Sequence, residues 1–302
     1  MIRFEGASKS YVSLVRRRRV DALADFTMVM QPGEVVGIAG PNGAGKSTLI
    51  SLMLGFLHPT SGRVTVDGHA PRAYVESRGV GYLTELVNLP PRWKVPHTLE
   101  RMAALSGVPA SQRADRVQTM MTRLGLEEHA AKQVRQLSKG NLQRLGLGQA
   151  LLGDFDIVVL DEPTHGLDPL WTQRFRDVVA ELRRPDRLVV IASHNLDELE
   201  VLADRVAILN NGRLQRVVEH GSGSTGTATM AWRVTFEGTP DVVAIWPAAL
   251  EIVGRPGTWR ITASRASLST GLASLLGGGA ILVECSPETS RLESEFRAAV
   301  GS

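Results

Sequence analysis

The stretch that decides the fold is Gly40-Pro41-Asn42-Gly43-Ala44-Gly45-Lys46-Ser47-Thr48. The apolar run 35–39 precedes it and a helix-like stretch, 48–54, follows it. This is the order of strand, glycine-rich turn and helix that a phosphate-binding loop needs. Glycines let the backbone wrap closely, so that successive N–H groups point into one concavity, and the helix N-terminus adds partial positive charge. We expect a nucleotide to bind here, with Lys46 at its β- and γ-phosphates and the Ser47 hydroxyl on a Mg²⁺ ion. The residues predicted to bind nucleotide are Gly40, Asn42, Gly43, Ala44, Gly45, Lys46, Ser47 and Thr48.

Two adjacent carboxylates supply the second half of the predicted site. The apolar run 157–160 ends in Asp161 and Glu162, and such a run is typical of a parallel strand that is buried on both faces. We expect Asp161 to hold Mg²⁺, directly or through water, and Glu162 to polarise the attacking water as a general base. Two acids at a strand end are otherwise merely surface groups. Behind a phosphate-binding loop they indicate nucleotide hydrolysis.

The pattern of apolar residues predicts an α/β fold. Strand-like and helix-like stretches alternate between residues 157 and 209, which indicates a mainly parallel sheet flanked by helices. Two strands near the N-terminus, 2–7 and 22–28, are joined through Arg16-Arg17-Arg18-Arg19. The simplest reading of this run is a solvated hairpin tip, and contact with lipid head groups or a partner is the alternative. Helical periodicity dominates residues 90–136.

Composition limits the class of protein. The chain has 302 residues, a net charge of +3 and a single cysteine, Cys285. One cysteine excludes an internal disulfide and suits a reducing compartment. No apolar run approaches the ~18 residues that would span a bilayer, and the first residues lack the apolar core of a signal peptide. These features predict a soluble, intracellular protein. Its mild basic bias permits contact with an anionic membrane or nucleic acid but requires neither.

The composition changes after residue 219. Residues 220–228 are rich in glycine and serine, which predicts a flexible linker. Residues 229–302 then show three strand-like and two helix-like stretches, which predict a small α+β domain without a catalytic cluster.

Five motifs in order resemble the ATPase subunit of an ATP-binding-cassette (ABC) transporter over residues 1 to about 218. Two of them are the phosphate-binding loop and the paired carboxylates already described. Leu137-Ser138-Lys139-Gly140-Asn141 resembles the family signature, 166–169 the loop in which Asp168 communicates across a dimer, and His194 the switch histidine. Tyr11 stands where the family has an aromatic residue that stacks on adenine.

The resemblance implies a P-loop NTPase cassette at residues 1–219, with a mainly parallel sheet, an antiparallel β-subdomain and a helical subdomain at about 90–153. Two cassettes would sandwich two ATP molecules, each held by Lys46 of one copy and by Ser138 of the other. The motifs also differ from the family pattern. Lys139 replaces a glycine and Asn141 a glutamine in the signature. Glu85 replaces a glutamine that touches Mg²⁺ and the attacking water, and we expect hydrolysis to be retained.

As a member of this family, the chain is expected to power transport by a separate integral-membrane permease. It would act as a homodimer, peripheral to the cytoplasmic face of the inner membrane, without nucleic acid. The short C-terminal domain is similar to that of exporter subunits for drugs, sodium or copper. The segment 85–96 is apolar and broken by prolines. It either receives the permease or packs on its own domain. The competing function is a soluble ABC ATPase that acts on ribosomes or DNA.

Overall fold

The computed structural model describes residues 1–12, 19–219, 229–238, 240–287 and 291–301. Most of the arginine run 16–19 and the whole predicted linker 220–228 lie outside these residues. The chain divides into two compact units, 1–220 and 221–302. No helix in the described part of the chain has both the length and the apolar character needed to cross a membrane.

The first unit contains strands and helices in this order: β1 (Ile2–Val12), β2 (Arg19–Met30), β3 (Val35–Ala39), α1 (Lys46–Met53), β4 (Ser61–Val66), α2 (Pro71–Arg78), β5 (Gly81–Leu83), α3 (Val95–Leu105), α4 (Ala110–Arg123), α5 (Lys139–Leu151), β6 (Ile157–Asp161), α6 (Pro169–Leu182), β7 (Leu188–Ser193), α7 (Leu196–Leu202), β8 (Arg205–Asn210) and β9 (Arg213–Glu219). Short 3₁₀ turns at Glu127–His129 and Val134–Gln136 lie between α4 and α5.

The central sheet has the strand order β5-β6-β7-β3-β8-β9, in which only β9 pairs antiparallel to its neighbour. Every residue of β3, β6 and β7 is buried, because helices cover both faces of a parallel sheet. The carboxyl ends of these three strands lie at one edge. The loops that follow β3, β6 and β7 therefore meet there, and this edge is where open α/β sheets bind ligands.

An antiparallel sheet with the order β2-β1-β4 packs beside α1. Ile2 of β1 is in register with Met30 of β2 and with Val66 of β4. The rings of Phe4 and Phe26 meet edge to face, with their centroids 5.1 Å apart, in a core that the sheet shares with α1. This core fixes β2 against the start of α1.

The helices α3, α4 and α5 pack closely where α5 carries a glycine. A Cβ atom at Gly148 would come within 2.9 Å of Leu124 and 3.1 Å of Leu99. Both leucines are fully buried. Because Gly148 has no side chain, α3, α4 and α5 can approach each other closely. The turn after α4 therefore packs directly against α5.

The second unit contains β10 (Thr229–Glu237), β11 (Leu250–Glu251), β12 (Thr258–Ser264), α8 (Arg265–Gly277), β13 (Ile281–Pro287) and α9 (Arg291–Val300). Its antiparallel sheet has the order β11-β12-β10-β13. Its core is built from apolar side chains of the sheet, the turn before β11 and α8, and centres on Trp232, Val234, Trp246, Ile261 and Leu268.

The predicted fold class is confirmed, because the first unit is an α/β domain with a mainly parallel sheet and a separate antiparallel one. The strands β1 and β2 extend beyond the predicted ranges. The helix α2 and the short strand β11 were not predicted from the sequence. Polar residues dominate α2, of which only Tyr74 is buried, so its apolar periodicity is weak.

Candidate functional site

A cavity of about 440 Å³ opens at the carboxyl edge of the central sheet. It is lined by Ala22 of β2, residues 41–48, and the carboxylates of Glu85, Asp161 and Glu162. The structure thus brings together the loop after β3, the acids at the end of β6 and the residue that follows β5 closely in sequence. Their common position follows from the shared direction of the parallel strands.

The backbone of the loop 40–45 is held from two sides. Gly45 caps α1 with φ 109°, and a Cβ atom there would lie 2.6 Å from the carbonyl oxygen of Ala22. Gly212, in the turn between β8 and β9, donates its N–H to the carbonyl of Ala44 at 2.9 Å. Among the described residues, no side chain caps the start of α1. Because residues 46–48 line the cavity, the first N–H groups of the helix lie beside it without a side-chain partner.

Lys46 is 8% exposed and lies between the loop and the acids. Its Nζ donates to the carbonyl oxygen of Gly40 at 2.7 Å and lies 3.8 Å from Oε1 of Glu162. The ammonium group is thus fixed at the cavity wall, next to the place where phosphate oxygens would compete for its protons.

Asp161 and Glu162 are both buried, and Glu162 has the left-handed φ of 47°, which is unusual for a residue with a side chain. Burial, together with the nearby negative charges of Glu85 and Glu162, raises the pKa of Asp161 to about 7, although Lys46 acts in the opposite direction. The carboxylates of Glu85, Asp161 and Glu162 together therefore carry more negative charge than Lys46 neutralises.

His194, which follows β7, reaches the second acid. Its Nδ1 lies 2.7 Å from Oε2 of Glu162, so the ring N–H donates a hydrogen bond to the carboxylate in this arrangement. The ring is otherwise largely exposed. The pair couples the end of β6 to the end of β7.

Glu198 of α7 supports this pair, and the sequence reasoning missed it. Its buried Oε2 accepts hydrogen bonds from Thr164 at 2.8 Å and from Ser193 at 3.2 Å. Burial raises the pKa of Glu198. The carboxyl group therefore ties the loop after Glu162 to the residue before His194. Nothing in the sequence distinguishes it from the neighbouring acids Asp197 and Glu200.

The segment 137–141 lies against the loop that follows Glu162. Ser138 caps α5, and its hydroxyl accepts from the N–H of Asn141 at 3.3 Å. A Cβ atom at Gly140 would lie 2.8 Å from the carbonyl oxygen of Gly166. Nζ of Lys139 lies 2.9 Å from Nε2 of His165.

Gln143, a further residue that sequence reasoning missed, donates to the carbonyls of Glu162 and Pro163 at 3.1 and 3.2 Å. Asp168 caps α6 through the N–H of Trp171 at 2.9 Å. The start of α5 thus packs on the loop that Asp168 ends.

Tyr11 lies on β1 opposite Val20, outside the set of residues that line the cavity. Its ring is 43% exposed, and Nζ of Lys9 lies 5.6 Å from its centroid. Its stacking on adenine stays a prediction. Glu85, by contrast, lines the cavity with Asp161 and Glu162.

The oxygen donors of the cavity fit a divalent cation. Magnesium is usually held by one or two carboxylates together with water and phosphate oxygens of a substrate. Ser47 and Asp161 line the same cavity. The pKa of Asp161 is raised by burial and by the charges of Glu85 and Glu162, and a bound cation would offset both effects.

Comparison with known proteins gives consistent matches. A family model described as ABC transporter matches residues 23–165. An uncharacterized ABC transporter ATP-binding protein of Nostoc sp. is 38% identical over 65% of this chain, and the chain spans only 59% of that protein's length. The methionine import ATP-binding protein MetN of Caulobacter vibrioides is 36% identical over 74% of the chain and 67% of its own length. YdbJ of Bacillus subtilis, an uncharacterized ABC transporter ATP-binding protein, is 32% identical over 91% of the chain and 89% of its own length.

Among solved structures, the chain is similar to a dimeric post-hydrolysis state of the ATP-binding cassette MJ0796 bound to ADP and Pi. The TM-score is 0.67 at 23% identity, and the match covers 74% of this chain and 100% of the other. At this identity the likeness concerns the fold.

Proposed function

The chain belongs to the family of ABC transporter ATP-binding proteins, and we propose that it binds and hydrolyses ATP as the nucleotide-binding subunit of such a transporter. One observation carries the proposal. The cavity beside the loop 40–48 contains Lys46, Asp161 and Glu162, and His194 lies 2.7 Å from Glu162. A phosphate-binding loop, a Mg²⁺ ligand and an oriented general base are the parts that hydrolysis of a nucleotide requires.

In the proposed reaction, Lys46 and the first N–H groups of α1 bind the β- and γ-phosphates. Ser47 and Asp161 would hold Mg²⁺, which neutralises phosphate charge when it is bound. Glu162 accepts the proton of the attacking water, and His194 keeps the Glu162 carboxylate oriented through Nδ1. We assign stacking on the adenine to Tyr11 and a role beside the cation to Glu85.

The unit of action is proposed to be a dimer of two copies. Ser138 and Gly140 stand at the start of α5, on a segment whose Ser138 and Lys139 side chains are exposed. In the second copy they would contact the γ-phosphate held by Lys46 of the first, and Asp168 would lie at the interface. Because ADP lacks that phosphate, hydrolysis would remove the contact and reopen the dimer. Residues 1–219 would form the cassette, with about 90–153 as its helical subdomain, 220–228 the linker, and 229–302 a second domain.

An exposed apolar surface beside the cavity supports a membrane partner. Phe56 and Leu86 are 63% and 78% exposed, and the ring of Phe56 lies 6.0 Å from that of the half-buried Tyr82. Glu85, next to Leu86, lines the cavity. A cytoplasmic helix of a permease seated on this surface would sense the nucleotide through Glu85. Peripheral association with the cytoplasmic face of the membrane follows from this docking.

Export is the proposed direction of transport, because the chain has the short C-terminal α+β unit that suggested an exporter subunit. Import is the second candidate, since a relative named as a methionine import protein shares 36% identity over most of the cassette. Uptake and efflux assays with the purified permease complex in vesicles distinguish the two directions.

The substitution Glu162→Gln tests the proposal. We expect ATP hydrolysis to fall by a factor of about 10²–10⁴, the usual contribution of a general base. ATP should still bind, and size-exclusion chromatography with light scattering should show dimers with ATP but not with ADP. Glu219→Gln, which removes an exposed acid on β9, is the matched control and should behave as the parent. Full turnover by Glu162→Gln, or no ATP-dependent dimer, would contradict the proposal.

A further inference from the structure

A cluster of polar side chains holds Asn141, the last residue of the segment 137–141, from inside the chain. Its members are His129, Asn141, Arg144 and Trp171, and we refer to them as the α5 cluster. Nδ2 of Asn141 lies 2.6 Å from Nε2 of His129, and Arg144 donates to Oδ1 of Asn141. His129 is 6% exposed. The carboxamide therefore has a partner at each end.

Arg144 determines which way the carboxamide of Asn141 faces. A guanidinium group has donors and no acceptor, so the oxygen of the amide must face Arg144 and the NH₂ group must face His129. Nε2 of His129 then accepts a hydrogen bond, and its single proton lies on Nδ1. Within the described residues, Nδ1 is buried and has no hydrogen-bond partner. This assigns a neutral imidazole in the Nδ1–H form.

Arg144 is itself fixed. It is buried, and its Nη1 donates to the carbonyls of Leu124 and Gly125, in the turn after α4, at 3.1 and 3.2 Å. Its guanidinium lies 4.2 Å from the ring centroid of Trp171, which is a stacking distance. A cation held by two carbonyls and an aromatic face cannot turn away without losing all three contacts.

Among the described residues, a carboxylate also lies near this ring. Oε1 of Glu128 is 3.5 Å from Nε2 of His129. The carboxylate of Glu128 is largely exposed, so solvent screens it, whereas the Asn141 contact is shorter and partly buried. The bond with Asn141 therefore decides the state of the ring.

The position of Asn141 determines the position of Ser138. The backbone N–H of Asn141 donates to the hydroxyl of Ser138, while its side chain is held by His129 and Arg144. Fixing the side chain fixes the first turn of α5, and with it the direction of the Ser138 hydroxyl.

We propose that His129 is a positioning residue, which holds Asn141 so that Ser138 is preset to bind the γ-phosphate of a second copy. The inference rests on the proposed function, because Ser138 meets phosphate only in an ATP-bound dimer. His129 contacts no nucleotide in this arrangement and acts only through Asn141. The family pattern has the longer glutamine at position 141. His129 instead provides a hydrogen-bond partner inside the chain that the shorter side chain of Asn141 can reach.

Dimerisation of the full chain tests the inference, in the Glu162→Gln background that preserves bound ATP. We expect His129→Ala to raise the protein concentration for half-maximal ATP-dependent dimerisation about tenfold, the usual effect of losing one buried hydrogen bond. The affinity of the monomer for ATP should stay within about twofold. His129→Gln supplies an acceptor oxygen at similar reach and should restore dimerisation to within about threefold. His97→Ala, a histidine on α3 outside the α5 cluster, is the matched control.

Asn141→Ala breaks the same contact from the other side and truncates a less buried side chain than His129→Ala does. It therefore tests the contact even if the histidine variants fold poorly. It should weaken dimerisation as much as His129→Ala does, and the double variant should be no weaker than either. Parent-like dimerisation by a folded His129→Ala would overturn the inference. So would a His129→Gln variant as weak as His129→Ala at equal thermal stability, because that would indicate packing alone.

Nitrogen NMR of histidine-labelled monomer gives a readout that does not depend on dimerisation. The Nδ1–H form is expected for His129 in the parent and should be lost in Asn141→Ala. The Nε2–H form or an imidazolium would overturn the inference even if the dimerisation data agreed. Absence of any ATP-dependent dimer in the parent would instead contradict the proposed function, and the NMR result would then decide the His129 contact separately.

Discussion

Two helices of the cassette begin beside a predicted phosphate site, yet their first turns are built differently. The helix α1 starts after Gly45, which has a left-handed backbone and offers no side-chain cap, and its first residue, Lys46, is buried beside carboxylates. The helix α5 starts after Ser138, which is exposed and accepts the N–H of Asn141 with its own hydroxyl. The start of α1 is thus enclosed by one chain, whereas that of α5 is open to the surface.

This difference indicates a division of labour between the two helix starts. An uncapped helix N-terminus with a buried lysine can bind phosphate without help. At a capped, exposed N-terminus, the cap and water already satisfy part of the N–H groups. Such a helix start binds an anion only when another molecule presents one. Changes at α1 should therefore abolish nucleotide binding by a single chain, and changes at α5 should affect only the association of two chains.

Lys46→Ala should have the largest effect of the changes considered. Hydrogen bonds to charged groups contribute about 1.5–3 kcal/mol each, so removing the ammonium group should weaken ATP binding by the monomer about 100-fold and bring hydrolysis below detection. Isothermal titration calorimetry measures the affinity. Lys132→Ala, an exposed lysine that precedes α5, is the matched control. Unchanged ATP affinity in Lys46→Ala would remove the distinction between the two helix starts.

Asp161→Asn tests the electrostatics around α1. The pKa of this carboxyl rises from 3.8 to about 7 on folding, so the folded state binds the proton more tightly than the unfolded state. In the parent chain, ionisation of Asp161 should therefore not affect the free energy of unfolding below pH 4. It should lower that free energy between pH 4 and 7, and the free energy should stay lower above pH 7. The difference in pKa corresponds to at most about 4 kcal/mol.

Without nucleotide or Mg²⁺, Asp161→Asn should consequently melt several degrees above the parent at pH 8 and close to it at pH 4, while its Mg²⁺-dependent hydrolysis is lost. Thermal melts at the two pH values measure the first effect, with Asp156→Asn, an exposed acid just before β6, as the control. A lower melting temperature for Asp161→Asn at pH 8 would show that this carboxylate stabilises the chain rather than straining it.

Sequence reasoning could place the loop 40–48, Asp161 and Glu162 beside one another, because their common position, here called the α1 site, depends on local order. A glycine-rich turn between strand and helix, and acids directly after an apolar strand, come together whenever parallel strands share an edge. The contacts made by α5 and α7 were not predictable in this way. Gln143, Glu198 and His129 act through partners that are 5 to 34 positions away in sequence, and only burial distinguishes Glu198 from the acids beside it.

Ser138→Ala tests the α5 side of the comparison and should have a smaller effect. Loss of the cap costs about 0.5–2 kcal/mol of helix stability and removes a hydroxyl from the proposed interface. We expect ATP-dependent dimerisation in the Glu162→Gln background to weaken about tenfold, while the monomer binds ATP as the parent does. Ser264→Ala, which removes the equivalent cap of α8 in the second unit, is the matched control. Weaker ATP binding by the Ser138→Ala monomer would mean that α5 serves its own chain's nucleotide.

Glu85→Gln should have the smallest effect on ATP hydrolysis, and it tests how the charge of Glu85 influences Asp161. After burial, the charge of Glu85 is the largest cause of the raised pKa of Asp161, so removing it should lower that pKa and ease ionisation of the cation ligand. A glutamine oxygen can still face a cation, so we expect hydrolysis within about threefold of the parent and a modest change in the Mg²⁺ concentration for half-maximal rate. Magnesium titrations of ATPase activity at pH 6.5 and 8 measure both, and the gain over the parent should be larger at pH 6.5, where more Asp161 is protonated in the parent. Complete loss of activity would instead make the Glu85 carboxylate itself essential, so that the α1 site would need all three of its acids charged.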